Sequence, residues 1–199
     1  TSKSKLELKN LSFDIYKCME KEGVDFAIIT DHPEITIDNL YSRYQEPGAS
    51  RTTAGITFYP LANNSTLTIN IVGDNRFGAV HYSSKSSTNQ LIFQGTGSLT
   101  VADVDFKVSS SSQSNSNGEG VKGYFSNYWC SAIGGNDGGQ GNAIGIVFKS
   151  GTIFAGTTLA ENCTAIGGGG NDKGLVKIEG GTITAVAATT GVAIGGGIG

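Results

Sequence analysis

Along much of the chain, apolar residues alternate with Thr, Lys, Glu and Asn in short runs. Leu67-Thr68-Ile69-Asn70-Ile71, Val176-Lys177-Ile178-Glu179 and Thr182-Ile183-Thr184-Ala185 each place apolar or small residues on one side and polar ones on the other. A period of two predicts half-buried β-strands. No stretch of useful length follows a period of 3.6, so helices are not expected.

The strands belong to a longer repeat. Ala132-Ile133-Gly134-Gly135 returns as Ala165-Ile166-Gly167-Gly168 and as Ala193-Ile194-Gly195-Gly196, at spacings of 33 and 28 residues. Between these motifs, the run from Ile146 to Ala155 aligns with the run from Val176 to Ala185, which puts Gly151 and Gly181 at the same place. The same unit, with less glycine, continues backwards through Leu91 to Val101, Leu67 to Gly73, Ile35 to Leu40 and Leu6 to Ile15. Earlier small-apolar pairs, Ala27-Ile28, Gly55-Ile56 and Ala79-Val80, fit the same slot. About six units fill the chain. Three short strands bent at Gly or Asn corners cannot bury their own apolar face, but units stacked about 4.8 Å apart form a continuous core. The expected fold is therefore all-β: a right-handed parallel β-helix (β-solenoid) with three short strands per coil and about six coils. The alternative is a β-sandwich, which predicts hairpin turns and gives no reason for a long repeat.

One solenoid domain over residues 1–199 accounts for the pattern. It divides into atypical leading coils (1–53), regular coils (54–106), a Ser-rich and aromatic insertion (107–131) and Gly-rich coils (132–199). Ile198-Gly199 follow a corner motif that elsewhere leads into another strand, so further coils or domains of a longer parent chain are expected.

Composition narrows the functional classes. A charged fraction of 16%, a formal charge of -3 and recurrent β-branched and aromatic residues describe a folding chain, not a disordered one. Three arginines, Arg43, Arg51 and Arg76, and no basic run leave no electrostatic track for a phosphate backbone, so nucleic acid is not an expected partner. Apolar stretches are strand-sized, and membrane insertion is not expected either. Cys18, Cys130 and Cys163 stand outside any metal-ligand spacing, and no cofactor is expected. Triplets of the N-glycosylation type at Asn10, Asn63, Asn64 and Asn162 arise readily in so polar a sequence and carry little weight.

The modules that end in Gly-Gly-Thr-Ile-Thr-Ala and lead to an Ala-Ile-Gly-Gly corner resemble the glycine-rich β-helical repeats of large cell-surface proteins of Gram-positive, often gut-dwelling, bacteria. The resemblance covers roughly residues 54–199 and carries no catalytic residues with it. It implies an extracellular module for display or adhesion that binds a glycan or a host or cell-surface protein. The alternative is a polysaccharide lyase or glycoside hydrolase of the β-helix type.

Candidate chemistry concentrates where the repeat breaks. The polar run Ser109 to Gly118 is followed by Tyr124-Phe125-Ser126-Asn127-Tyr128-Trp129. Insertions in a solenoid emerge as loops on one face, often the binding face. Tyr124, Phe125, Tyr128 and Trp129 are therefore the candidate binding residues, as a stacking platform for sugar rings or an anchor for a protein. Their competing role is to cover the core beside a loop. Asp103 and Asp105, two apart, would present carboxylates on one side of a strand, but only Lys107 lies near as a base. Gly134-Gly135-Asn136-Asp137 and Gly167 to Asp172 resemble a calcium-binding β-roll turn, yet Gly139 and Gly174 stand where that motif needs a large apolar residue. Turn chemistry accounts for them. His32 and His81 are isolated, and Asp31-His32-Pro33-Glu34 reads as a turn. Thr152, Thr157, Thr182 and Thr184 do not read as the regular ladder of an ice-binding face. Cys130 and Cys163 each precede an Ala-Ile-Gly-Gly motif by two residues and are expected to stack as thiols, because in-register side chains stay beyond disulfide distance.

Overall fold

The computed structural model describes residues 6–9, 12–14, 27–30, 33–43, 55–58, 63–77, 79–82, 88–102, 131–135, 145–157, 164–168, 174–187 and 190–196. Its described residues form eighteen strands, β1 to β18 in chain order, and no helix. The strands fall into three six-stranded sheets. The first holds β1 (Leu6–Lys9), β4 (Glu34–Asp38), β7 (Thr66–Val72), β10 (Gln90–Gly95), β13 (Gly145–Phe148) and β16 (Leu175–Ile178). The second holds β2 (Ser12–Asp14), β5 (Tyr41–Arg43), β8 (Asp74–Phe77), β11 (Ser98–Ala102), β14 (Thr152–Thr157) and β17 (Thr182–Ala187). The third holds β3 (Ala27–Thr30), β6 (Gly55–Phe58), β9 (Ala79–Tyr82), β12 (Ser131–Gly135), β15 (Thr164–Gly167) and β18 (Val192–Gly195). Consecutive strands thus visit the three sheets in rotation, and each sheet takes every third strand.

Every ladder between described strands is parallel. The antiparallel hairpins that a sandwich would need do not occur among them. The register follows the sequence repeat: Ile146 pairs with Val176, Thr152 with Thr182, and Ile133 with Ile166 and then Ile194. Ile28, Ile56 and Val80 continue that last column.

Period-two alternation fills the interior with columns of like residues. Ile35, Ile69, Phe93 and Phe148 pair in succession, all fully buried, and the rings of Phe93 and Phe148 stack at a centroid distance of 5.1 Å. Leu67, Leu91 and Ile146 form a second buried column, and Val80, Ile133 and Ile166 a third. Each such side chain contributes about 2 kcal/mol through removal from water. The gradient at one end shows how far this depends on neighbours. Ile178, paired with Phe148, is 51% exposed, and Ile194, paired with Ile166, is 42% exposed. Among the described residues no strand lies beyond β16, β17 or β18.

Corners are set by backbone conformation. Between first-sheet and second-sheet strands the chain turns through left-handed residues: Asn39 (φ 55°), Gly73 (62°), Gly151 (98°) and Gly181 (89°). Two of these carbonyls accept the next unit's amides, Gly73 O from Ser98 N–H (2.8 Å) and Gly151 O from Thr182 N–H (2.9 Å), while at Asn39 the side-chain Oδ1 accepts from Asp74 N–H (3.1 Å). In the third sheet, glycine answers a different need. A Cβ on Gly134 would lie 1.9 Å from the Gly167 carbonyl oxygen, and one on Gly167 would lie 1.8 Å from that of Gly195. No side chain fits in that gap, which accounts for the repeated Ile-Gly pair.

One polar side chain ties three units together from inside. Asn75 is fully buried in a column with Leu99. Its Oδ1 accepts from Leu40 N–H (3.0 Å), while its Nδ2 donates to Val72 O (2.8 Å) and Ser98 O (3.2 Å). Truncation strands all three backbone groups in the core, so Asn75→Ala should lower unfolding free energy in urea by about 3 kcal/mol. Thr157 presents the opposite case, a fully buried hydroxyl with no hydrogen-bond partner among the described residues. Thr157→Val keeps the shape and removes the unpaired group, and should raise stability by about 1 kcal/mol in the same measurement.

Candidate functional site

The rotation of strands leaves three outer faces, and they differ in what they offer a ligand. On the first sheet the outward polar groups bond to one another. Gln94 Nε2 donates to Asn70 Oδ1, and Asn70 Nδ2 donates to Glu34 Oε1, both at 2.8 Å, so an amide ladder runs across three units. Lys9 reaches Asp38 at 2.7 Å, and the hydrogen bond and charge of Asp38 hold the ammonium above the ordinary lysine range. At the other end Lys177 meets Glu179 at 2.7 Å and draws that carboxyl below the usual glutamate range. The amide ladder and the Lys9–Asp38 pair join neighbouring strands from outside, whereas Lys177–Glu179 lies along a single segment, and exposed pairs contribute only modest energies.

The third sheet offers less. All residues of β12 and β15 are buried, including Ala132, Ala165, Ser131 and Thr164. Ser131 Oγ is committed to Gly135 O at 2.9 Å.

The second sheet carries an open face. Strand β14 alternates with Ile153 and Ala155 buried and with Thr152 exposed and Phe154 half-buried on the other side. Register then stacks two outward columns: Asp74, Ser98, Thr152 and Thr182 in one, and Arg76, Thr100, Phe154 and Thr184 in the other. The outward Thr182 and Thr184 are exposed, and Ser98 and Thr100 half-buried. Ser98 Oγ donates to the Asp74 carboxylate. The result is a patch of hydroxyls around one aromatic ring, with both charges at one edge. Strand positions hold these side chains at fixed spacings of about 4.8 Å across the sheet.

The residues singled out from sequence fall differently. Tyr124, Phe125, Tyr128 and Trp129 lie outside the described residues, as do Asp103, Asp105, Lys107, His32, Cys18, Cys130, Cys163, Asn136, Asp137, Asn171 and Asp172. His81 occupies β9, in register with Thr57 and Gly134. Gly134 and Gly167 serve the close approach of third-sheet backbones. Among the described residues no group of three His, Cys, Asp or Glu side chains gathers as a metal site. The threonines form no regular Thr-x-Thr ladder, as the sequence led one to expect: Thr157 is buried and off the face, and Phe154 stands where that motif needs a threonine, although Thr152 and Thr182 stack and Ser98 extends their column. The sequence signal is the triplet after each corner glycine, Ser98-Leu99-Thr100, Thr152-Ile153-Phe154 and Thr182-Ile183-Thr184. Comparison with family models, curated proteins and solved structures returns no match.

Proposed function

We propose that the three sheets are the faces of a right-handed parallel β-solenoid of six coils, and that this solenoid is a non-catalytic extracellular module of a bacterial surface protein. It serves display or adhesion and binds a glycan or a host or cell-surface protein. The observation that carries the reading is the strict rotation of strands through three parallel sheets. A chain that returns to the same sheet after two intervening strands, always parallel, winds as a coil, and such crossovers are right-handed. Stacked coils make a stiff rod whose length grows with each unit, which suits projection from a surface. Strand-borne side chains on the outside of a rod are held in a fixed pattern, which suits recognition without a moving part. The glycine-rich corners support the resemblance to surface repeats of Gram-positive bacteria.

Incubation with neutral, pectic and mucin-type glycans and with host cell-surface proteins tests the reading, with binding and product formation followed together. The expected result is saturable binding without new reducing ends or unsaturated products. Turnover of any of these glycans would replace this reading with the lyase or hydrolase one, and failure to bind every class would remove it.

A further inference from the structure

We propose that the outer face of the second sheet is a glycan-binding platform, with Phe154 as the ring on which a neutral sugar stacks; this deepens, and rests on, the glycan branch of the function proposed above. Phe154 is an aromatic side chain in a position that core packing does not require. Ile153 and Ala155, on either side of Phe154, already face the interior and are buried, so the strand's apolar side is filled without it. Phe154 points the other way, is half-buried, and has no ring partner among the described residues. Its column neighbours are Thr100 and Thr184, and the adjoining column is Ser98, Thr152 and Thr182.

A pyranose ring has an apolar face of C–H groups and a rim of hydroxyls. Recognition of such a ring takes an aromatic surface for the first and hydroxyl donors and acceptors for the second. The patch supplies both: Phe154, Ser98, Thr100 and Thr152 stand on strands paired on both sides, and Thr182 and Thr184 on β17, paired to β14. Its charge pattern selects among sugars. Asp74 and Arg76 stand at one edge, beyond Ser98 and Thr100, and the outward columns from there to Thr182 and Thr184 hold no charged side chain. A polyuronate would find no cation beside the ring, whereas a neutral glycan loses no ion pair. Strand spacing also suits an extended chain laid across the sheet, because an extended β-linked hexose polymer advances by close to one strand spacing per sugar.

Calorimetric titration with a neutral β-1,4-linked glucose hexamer, with polygalacturonate as the charged comparison, tests the assignment. The variants are Phe154→Ala, Phe154→Trp and Thr182→Val, each checked for an unchanged melting profile. The expected result is binding of the neutral hexamer in preference to polygalacturonate. Phe154→Ala should weaken it about tenfold or more, Phe154→Trp should retain it, and Thr182→Val should weaken it less. Should Phe154→Ala fail to fold, Phe154→Trp and Thr182→Val still decide the matter. Unchanged glycan affinity in Phe154→Ala overturns the platform while leaving the glycan reading in place. Binding of a host protein alone, indifferent to Phe154, overturns the platform and leaves surface adhesion. Inhibition of ice growth without glycan binding overturns it in favour of ice as the ligand of the hydroxyl columns. Absence of binding to glycan and protein alike removes the platform and the adhesion reading together.

Discussion

A three-strand unit of this chain has neither a closed hydrogen-bond pattern nor a covered apolar face. Among the described residues each strand pairs only with its counterparts in the neighbouring units, and inward side chains stack on the same position in those units. In-register parallel stacking is therefore the constraint from which the rest follows. It sets the left-handed corners at Asn39, Gly73, Gly151 and Gly181, whose alignment keeps the second-sheet strands level with those they pair to. It also demands glycine at Gly134 and Gly167, where the backbone of the next unit comes too close for a side chain. Burial falls off where stacking stops, as Ile178 and Ile194 show against Phe148 and Ile166.

Polar side chains obey the same constraint. Asn75 sits among apolar neighbours because the corner above and below it leaves three backbone groups that strand pairing does not reach. On the outside, Glu34, Asn70 and Gln94 repeat the device in reverse, with side chains bonding from strand to strand where solvent would otherwise compete. Ser150 Oγ accepts from Gly95 N–H at 2.9 Å, another bond that joins units rather than closing one. Cohesion therefore runs along the stack, and a defect in one unit is felt by its neighbours.

How much of this could be read from the sequence depended on how strictly a position was constrained. Gly151 with Gly181, and Ile133 with Ile166 and Ile194, gave the register directly, because the close backbone approach and the buried column admit few other residues. Ile56 and Val80 were legible for the same reason. The strand Asp74–Phe77 was not, since Asn75 is polar and its inward place is licensed by bonds to residues distant in sequence. The outer columns of the second sheet were missed because the loops between units vary in length. Ser98, Thr152 and Thr182 share no fixed offset, and only the corner glycines reveal that they align. Counting Thr157 among the face residues obscured the columns further, since nothing local marks it as buried. The aromatic segment from Tyr124 to Trp129 lies outside the described residues, and the sequence alone speaks for it.

The outer pattern is a consequence of the inner one. Phe154 and its threonine neighbours occupy fixed places because Ile153, Leu99 and Ile183 stack beneath them. The stacking of those three residues is the point on which the account stands, and backbone nuclear Overhauser effects in the labelled chain test it most directly. Cross-strand contacts of the parallel type linking Leu99 to Ile153 and Ile153 to Ile183 are the expected result. Close Hα–Hα contacts of antiparallel pairs between these segments, or no contact between Ile153 and Ile183, would contradict it.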